Sequence, residues 1–342
     1  MDKWIVTFVV LILSPLGVQA TPMCIRTTLS LQKILAAASL PPADVPRPAA
    51  VVHTEGTLPH AGIYDQSVEA QRDLDYMRDL AIAWQAARDE ASLKRLAIYL
   101  DAWTEVYRLS FNPIDETRFD GLIEAYRLTA KDLPQPTVQR IRRFLYAMGN
   151  GYLMQMERHN PYTVNGWSNN WQSHRIKLVT LAAQALGDEK MFASARSAFI
   201  TQLGINMKPD GEVADFRERD ALHYVVYDLE PLIRAALAAK NNGEDWLNLP
   251  GHNGQTLLAG LDWLLPYAEG KRAHTEFVNS SVNFDAERAH AGLKGYSGTW
   301  PPYTASSLYW SASMLDMRYL TIAKSLASMP PNWIWAYGKP CE

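Results

Sequence analysis

Two polar segments of the chain carry residue types that can do chemistry. The first spans 166–175 and reads GWSNNWQSHR. Asn170 and His174 are four residues apart in it, so a helix would place both side chains on one face, where an amide and an imidazole could bind a carboxylate. The structural alternatives are Asn169 as a helix N-cap with Gln172 as its capping partner, and His174 as a core or solvent-facing histidine.

The second segment spans 216–232 and reads FRERDALHYVVYDLEPL. Read as one continuous helix, it has an apolar stripe with a polar margin on each side. One margin holds Arg217, Tyr224 and Asp228, and the other holds Arg219, His223, Tyr227 and Glu230. Either margin brings a guanidinium near a phenol, and a nearby positive charge lowers the pKa of a tyrosine. The alternative is an ordinary surface helix with flanking charges, and the pattern does not choose between Arg217 and Arg219.

Helical periodicity covers most of the chain that must position these segments. Apolar residues recur every three or four positions between 74 and 107. Further helices are predicted over 116–131, 136–157, 169–186, 189–203, 217–240, 254–269 and 305–328. Two stretches, 38–66 and 270–304, lack this period and are predicted to be irregular. Because strand-like alternation and a fixed repeat are missing, we predict an all-α fold of antiparallel helix pairs closed into a ring or partial ring.

The N-terminus predicts export. Lys3, an apolar run over 5–13 and the small residues Val18 and Ala20 fit a signal peptide over 1–20, with a buried N-terminal helix as the alternative. The apolar run is too short to cross a bilayer, and no second run of membrane length follows. We expect a secreted or periplasmic protein, free of the membrane after signal removal. Its mature chain would comprise an extended arm or lid over 21–66 and a helical domain over 67–342.

Cysteine usage and charge agree with this expectation. Cys24 and Cys341 are the only cysteines, and export predicts a disulfide between them, with two free thiols as the alternative. The net charge of −3, from 33 basic and 36 acidic residues, gives no support for a nucleic-acid partner. No metal-ligand spacing and no nucleotide, zinc-peptidase or α/β-hydrolase motif occurs, so we expect neither a metal nor a cofactor.

Both polar segments resemble the alginate lyase superfamily of polysaccharide lyases. The likeness is sharpest over 169–175 and 217–232, and it extends to 53–60 and over most of the mature chain. The resemblance implies an incomplete (α/α) toroid, with 67–342 as the catalytic domain. It also implies that the protein cleaves uronic-acid polymers by β-elimination without a metal.

The resemblance carries over to individual positions. Tyr224 matches the catalytic tyrosine, Arg217 matches the arginine seven residues before it, and Asn169 with Asn170 matches an asparagine pair. The chain departs from the pattern directly after that pair. There the known alginate lyases have their catalytic histidine, whereas this chain has Trp171, with His174 three positions later.

The chemistry of β-elimination accounts for these residue types. The C5 proton of a uronate is hardly acidic while its carboxylate is charged, so the amide, imidazole and guanidinium groups named above would stabilise the dianion that forms. A base must remove the C5 proton, and an acid must protonate the leaving O4. In mannuronate and glucuronate both groups lie on one side of the ring, so Tyr224, or else Tyr227, could serve as base and then acid. For guluronate, His174 or His223 would be the base.

Further polar and aromatic residues near the two segments, in the arm and in the irregular loop are predicted to bind the polymer. They are Asn169, Trp171, Arg175, Arg219, His223, Tyr227, His53, Tyr64 and Tyr303. The arm, with His53 and Tyr64, and the loop, with Tyr296 and Tyr303, are predicted to cover the cleft as a lid. The substrate predicted from the sequence is an anionic polysaccharide, mannuronate-rich alginate or glucuronan.

Two other classes of protein fit the same sequence. A glycoside hydrolase on such a ring would need two carboxylates across the cleft, for which Glu55, Asp65, Asp215 and Asp228 are the candidates. A polysaccharide-binding protein would keep the cleft without the chemistry. The oligomeric state does not follow from the sequence.

Overall fold

The computed structural model describes residues 23–25, 29–43, 45–160, 162 and 166–340. The signal peptide predicted over 1–20 lies outside these residues, and so does Cys341. Within the described ranges the regular structure is almost all helical, which confirms the predicted fold class. Its strands are β1 (Met23–Ile25) and β2 (Gly338–Pro340), which form one parallel pair.

Thirteen α-helices follow one another through the described residues. They are α1 (Leu29–Ala38), α2 (Tyr64–Ala87), α3 (Glu90–Val106), α4 (Asp120–Thr129), α5 (Gln135–Arg158), α6 (Asn170–Leu186), α7 (Glu189–Asn206), α8 (Ala214–Arg219), α9 (Leu222–Asn241), α10 (Leu257–Ala268), α11 (Asn283–His290), α12 (Ser306–Leu315) and α13 (Leu320–Leu326). Short 3₁₀ turns cover Thr117–Phe119, Pro302–Ala305, Met317–Tyr319 and Asn332–Ala336.

The helices form two layers. The inner layer runs from α2 to α4, α6, α9 and α12, each packed against the next, while α3, α5, α7 and α10 pack on its outside. The 3₁₀ turn Asn332–Ala336 packs against α1, α2 and α4, and β1 contacts α12. Short segments near the two chain ends, and not a further helix pair, thus connect the ends of the inner layer, so the ring of helices is closed only in part. This arrangement is the incomplete (α/α) toroid that the resemblance implied.

The sequence of each helix fits its layer. In the outer helix α5, Ile141, Leu145, Met148 and Tyr152 are buried along one face, and Arg142 on the other side is exposed. The inner helix α6 is buried nearly all round, and its run 176–183 is apolar apart from a lysine and a threonine. A helix buried on every side carries its polar residues inside the fold, and in α6 these lie at the N-terminal end.

The prediction of one helix over 217–240 is wrong at its start, because the helix is interrupted at Asp220. Helix α8 ends at Arg219, Asp220 has the left-handed conformation with φ 49°, and α9 begins at Leu222. The prediction that Arg217, Tyr224 and Asp228 share one helix margin therefore fails. The angular positions of side chains around α8 do not continue into α9, because the two are separate helices.

Residues 274–281 hold this break in place. The backbone oxygen of Asp220 accepts hydrogen bonds from Phe277 N, at 2.8 Å, and from the His274 ring, at 2.9 Å. The carboxylate of Glu276 accepts from Leu222 N at 2.7 Å and His223 N at 3.0 Å, which satisfies the first free N–H groups of α9. A distant segment thus supplies the cap that local sequence does not.

Three further stretches differ from the sequence-based expectation. The arm over 21–66 is not extended throughout, because α1 lies within it and packs on α2. The irregular stretch 270–304 contains α11, and the single helix predicted over 305–328 is divided into α12 and α13 by the turn Met317–Tyr319. None of the described helices is both long and apolar enough to cross a membrane.

Candidate functional site

A cavity of about 360 Å³ lies where the N-terminal ends of α6 and α9 meet α11 and the loop before α2. Its lining residues are Thr54, Glu55, Gly56, Ile114, Asn170, Trp171, Arg219, His223, Tyr224, Tyr227, Val282, Phe284, Arg288 and Tyr296. Six of the residues predicted for the site are among them: Asn170, Trp171, Arg219, His223, Tyr224 and Tyr227. The structure therefore brings the two polar segments together at one opening.

Two arginine side chains contact the Tyr224 phenol. Its hydroxyl oxygen accepts a hydrogen bond from Arg288 Nη1 at 2.9 Å, and the Arg219 guanidinium lies 3.9 Å from the centre of its ring. Burial raises the pKa of Tyr224, whereas Arg219 and Arg288 both act to lower it. The two guanidinium groups thus oppose the effect of burial on Tyr224, although its pKa stays above the ordinary value for a tyrosine.

One carboxylate orients both guanidinium groups. Asp285 Oδ1 lies 2.6 Å from Arg219 Nη1 and 3.5 Å from Arg288 Nη1, and Ser280 donates to Asp285 Oδ2 at 2.7 Å. The Asp285 side chain is fully buried. We call Arg219, Arg288, Asp285, Tyr224 and Tyr296 the site cluster. Since its two guanidinium groups share one carboxylate, the cluster carries an excess positive charge that suits an anionic ligand.

The Asn170 amide is fixed at the start of α6. Asn169 is the N-cap and accepts from Trp171 N at 3.1 Å, as the structural alternative predicted. The predicted capping partner is wrong, because the Gln172 side chain hydrogen-bonds Met156 and Arg175 instead. Asp215 accepts from Asn170 N at 2.8 Å and also from the Asn170 side-chain amide. Burial raises the pKa of Asp215, and the neighbouring Asp228 raises it further. The Asn170 side chain is thus held in one orientation at a helix N-terminus that faces the cavity.

The two candidate histidines lie in different places. His174 is buried beneath the cavity, where Nδ1 hydrogen-bonds Thr117 Oγ1 at 2.7 Å and the ring lies 4.6 Å from that of Tyr227. It lines a second cavity, of about 350 Å³, on the far side of Tyr227. Burial, together with Lys177, lowers the pKa of His174. Among the described residues, the histidine that lines the first cavity is His223.

His223 is a neutral imidazole in the site. Burial, and next Arg288, lower its pKa to about 4. Its ring lies 5.3 Å from the rings of both Tyr224 and Tyr296. At neutral pH it can therefore donate or accept a hydrogen bond without adding charge.

Arg217 lies outside this cavity. Its guanidinium donates to the backbone oxygens of Glu212, at 3.0 Å, and Asn206, at 3.2 Å. The break at Asp220 is the reason, because it turns α9 away from the direction of α8 and leaves Arg219 beside Tyr224. Of the two arginines of α8, Arg219 is therefore the one that contacts Tyr224.

Five of the predicted binding residues also do not line the cavity, and one of them is Asn169, the N-cap of α6. Arg175 stacks on Trp167 at 3.6 Å and donates to the Gly166 backbone. Tyr64 is the first residue of α2, and Tyr303 lies in the exposed turn Pro302–Ala305. His53 lies next to the lining residues and hydrogen-bonds Asp115 at 2.9 Å.

The loop at 53–56 nevertheless contributes to the site. The buried Asp115 carboxylate accepts from Thr54 N at 2.7 Å and Glu55 N at 2.9 Å, which fixes the loop at the cavity edge. Glu55 is thereby placed among the lining residues. Burial raises its pKa, and Asp115 adds to this effect. Of the four carboxylates considered for a hydrolase, Glu55 alone lines the cavity. Asp65 pairs with His60. Asp215 and Asp228 are buried and accept hydrogen bonds from Asn170 and Ser173.

Sequence reasoning missed Arg288. It lies on α11, inside the irregular stretch 270–304, which was expected to cover the cleft but not to supply a cation to it. Tyr296 was expected only as part of a covering loop, although its ring forms one wall of the cavity. Within the described part of the chain, no group of three or more His, Cys, Asp or Glu residues could hold a metal ion.

A family model for alginate lyases matches residues 30–274. The chain belongs to the alginate lyase family. It is a polysaccharide lyase, and the resemblance seen in its two polar segments is confirmed. No curated protein sequence matches the chain. Arg288 and Tyr296 of this lyase lie beyond the matched range, so the matched part supplies only some of the site cluster.

Solved structures of alginate lyases share the fold. An alginate lyase from Bacteroides ovatus is 15% identical with a TM-score of 0.61, and the match covers 90% of this chain and 92% of that one. Alginate lyase A1-III from Sphingomonas species A1 is 17% identical with a TM-score of 0.53, covering 67% of this chain and 69% of that one. Two variants of the latter enzyme, with a tyrosine or a histidine replaced, were solved; each is complexed with a tetrasaccharide.

Proposed function

We propose that this lyase cleaves uronic-acid polymers by β-elimination and acts on mannuronate-rich alginate, with glucuronan as a second substrate of the same stereochemistry. The observation that carries the proposal is Tyr224, which lines the same cavity as Asn170, accepts a hydrogen bond from Arg288 at its hydroxyl and has the Arg219 guanidinium over its ring. The tetrasaccharide complexes of alginate lyase A1-III support an anionic polysaccharide as the class of substrate.

Arg219 and Asn170 are the groups proposed to neutralise the uronate carboxylate. Arg219 shares Asp285 with Arg288, so part of its charge remains available to a ligand. The Asn170 amide cannot swing away, because Asp215 holds it. Fixed donors around the carboxylate lower the cost of the charge that develops when C5 loses its proton.

Tyr224 is proposed to move the proton. As a phenolate it takes the C5 proton, the electrons of the C–H bond form the C4–C5 double bond, and the C4–O4 bond breaks. The same Tyr224 hydroxyl then returns the proton to O4. A single group can do this on mannuronate or glucuronate, where H5 and O4 lie on one side of the ring. On guluronate, the neutral His223 would have to act as base.

Export is proposed as well. Its support is the leader-like sequence over 1–20 and the pair of cysteines near the ends of the mature chain. The pairing of β1 with β2 places Cys24 opposite Lys339, two residues before Cys341. A disulfide between them would tie the two ends of the ring together. Mass spectrometry of the secreted chain, with and without reductant, tests both the cleavage and the bond.

The substrate proposal is tested by incubating the mature protein with polymannuronate, polyguluronate and glucuronan while following ultraviolet absorbance of the C4–C5 double bond. We expect rapid product formation from polymannuronate or glucuronan and little from polyguluronate. Cleavage that gives reducing ends without a double bond would instead indicate hydrolysis. No cleavage of any of the three polymers would refute the proposal.

A further inference from the structure

We propose that the second cavity, on the far side of Tyr227, binds a further uronate unit of the polymer whose scissile bond lies in the first cavity. Arg118 at its mouth would bind the carboxylate of that unit, and Glu230 and Trp333 would bind its hydroxyl groups and its ring. This inference rests on the proposed function. It adds that the enzyme binds a longer stretch of the chain than the first cavity holds.

The two cavities follow one another along the inner helices, and Tyr227 lines both. On α6, Asn170 lines the first cavity and Lys177 the second; on α9, Tyr224 lines the first and Glu230 the second. These pairs are seven and six residues apart, so at 1.5 Å per residue the second cavity lies about 10 Å further along both helices. A chain that continues past Tyr227 therefore reaches it.

Part of the wall of the second cavity is formed by buried charges that already have partners. Asp120 pairs with Arg78 at 2.5 Å and with Lys177 at 2.7 Å. Lys177 also donates to the backbone oxygen of Thr117 at 2.9 Å and to its hydroxyl at 2.8 Å. Groups that satisfy one another in this way fix the shape of the cavity. The contacts to a ligand must come from the other lining residues.

Glu230 is one of the lining residues that is left without a partner. Its carboxyl group forms no hydrogen bond or ion pair with any residue that the structure describes, although the side chain is mostly buried and lines the cavity. Burial raises its pKa, and Arg234 and Lys177 act in the opposite direction without contacting it. Carboxyl oxygens in such a position can accept hydrogen bonds from the hydroxyl groups of a sugar.

Arg118 and Trp333 supply the other two contacts. The Arg118 side chain is 47% exposed and pairs with Asp75 at 3.0 Å, and Asp75 also pairs with Arg78 at 3.2 Å. Because two guanidinium groups share this carboxylate, Arg118 keeps charge for an anion at the mouth of the cavity. Trp333 is half-buried, and Arg234 lies 4.0 Å from the centre of its ring and fixes it at the wall.

These three groups match the chemistry of a uronate unit. Its carboxylate needs a cation, for which Arg118 is placed, and its hydroxyl groups need an acceptor, for which Glu230 is placed. The C–H groups of its ring need an apolar surface, which the Trp333 ring offers. A volume of about 350 Å³ is within the range of small-ligand pockets.

The first test compares long and short substrates. Arg118→Gln and Glu230→Ala should each lower kcat/KM on the preferred polymer about tenfold, mainly by raising KM, because a hydrogen bond to a charged group is lost. On the shortest oligosaccharide that is cleaved, the change should stay below about twofold. Arg143→Gln, at an exposed position on α5, is the matched control and should change neither value. Equal losses on both substrates, or no loss on the polymer, would contradict the proposal.

The second test measures binding without cleavage, by calorimetry in the Tyr224→Phe background. Adding Arg118→Gln should raise the Kd of a long oligomannuronate about tenfold and leave that of a mannuronate disaccharide unchanged. Urea unfolding shows whether each variant is folded. If no uronate polymer is cleaved, the proposed function fails, and this comparison still decides whether the second cavity binds a uronate. A long oligomannuronate that does not bind, or that binds equally well to the Arg118 and Glu230 variants, would overturn the inference.

Discussion

The molecule contains two clusters of arginine, carboxylate and tyrosine that differ in the partner of the phenol. In the site cluster, Tyr224 accepts a hydrogen bond from Arg288. In a second group, which we call the inner cluster (Arg78, Arg234, Asp120, Glu124 and Tyr337), Tyr337 donates to the Glu124 carboxylate. Burial raises the pKa of both phenols. At Tyr337 the strongest charge is Glu124, which raises the pKa further against Arg234 and Arg127, whereas at Tyr224 the strongest charges are Arg219 and Arg288, which lower it.

The carboxylates are also used differently. In the inner cluster, Glu124 accepts from Arg78, Arg234 and Tyr337, and Asp120 is bound by Arg78 and Lys177, so cations and carboxylates largely satisfy one another. The site cluster has one carboxylate for two guanidinium groups. Each cluster borders a cavity, so the difference lies in the balance of charge and not in access. The same residue types thus hold the fold together in one place and leave charge available for a substrate in the other.

The largest expected effect is on activity, from Tyr224→Phe. Removing the hydroxyl should lower kcat by about 10³-fold, since both proton transfers depend on it. The free energy of unfolding should change little, because the ring and its packing remain. The matched control is Tyr337→Phe, which should leave kcat near the parent value and lower stability instead. Steady-state kinetics and urea unfolding separate the two, and equal effects of both variants on kcat would remove the distinction between the clusters.

Glu124→Gln should have the largest effect on stability. It leaves two buried guanidinium groups short of a carboxylate, and breaking a buried pair in this way costs about 3–5 kcal/mol. Urea unfolding measures the loss, and kcat at low temperature, where the variant is folded, should stay within about threefold of the parent. A stability change below about 1 kcal/mol would show that the inner cluster is not structural.

The two arginines of α8 provide a sharper comparison. Arg219→Gln should lower kcat by about 10²-fold because a donor to the substrate carboxylate is lost, and Arg219→Lys should recover part of it. Arg217→Gln, two residues away, should alter kcat by less than about threefold and reduce stability by about 1 kcal/mol. If Arg217→Gln has the larger effect on kcat, the assignment of the site to Arg219 is wrong.

The smallest expected effect concerns Glu55 and pH. Its raised pKa means that the carboxyl is neutral at acid pH and becomes charged as the pH rises through that pKa. A negative charge in the cavity repels a uronate, so KM should increase with pH. Glu55→Gln should remove this dependence and lower KM about threefold at alkaline pH, with no change at acid pH. Glu90→Gln, at an exposed position on α3, is the control and should keep the pH profile of the parent.

Local patterns were sufficient where a local interaction decides the structure. Asn169 is the N-cap that its position before an apolar run predicted, and most helices lie within a few residues of their periodic segments. The prediction of one continuous helix was wrong at Asp220, because the backbone conformation there is set by hydrogen bonds from residues more than fifty positions later. Arg288 could not be predicted, since its role depends on which side of the ring α11 approaches.

The sequence by itself determined an all-α ring and the residue types of a polysaccharide lyase, because helical periodicity and short motifs are local properties of a chain. The tertiary structure decided which arginine meets the phenol, which histidine shares its cavity and which late segment completes the cluster. Each of those outcomes depends on contacts between residues far apart in the chain, which local patterns do not encode.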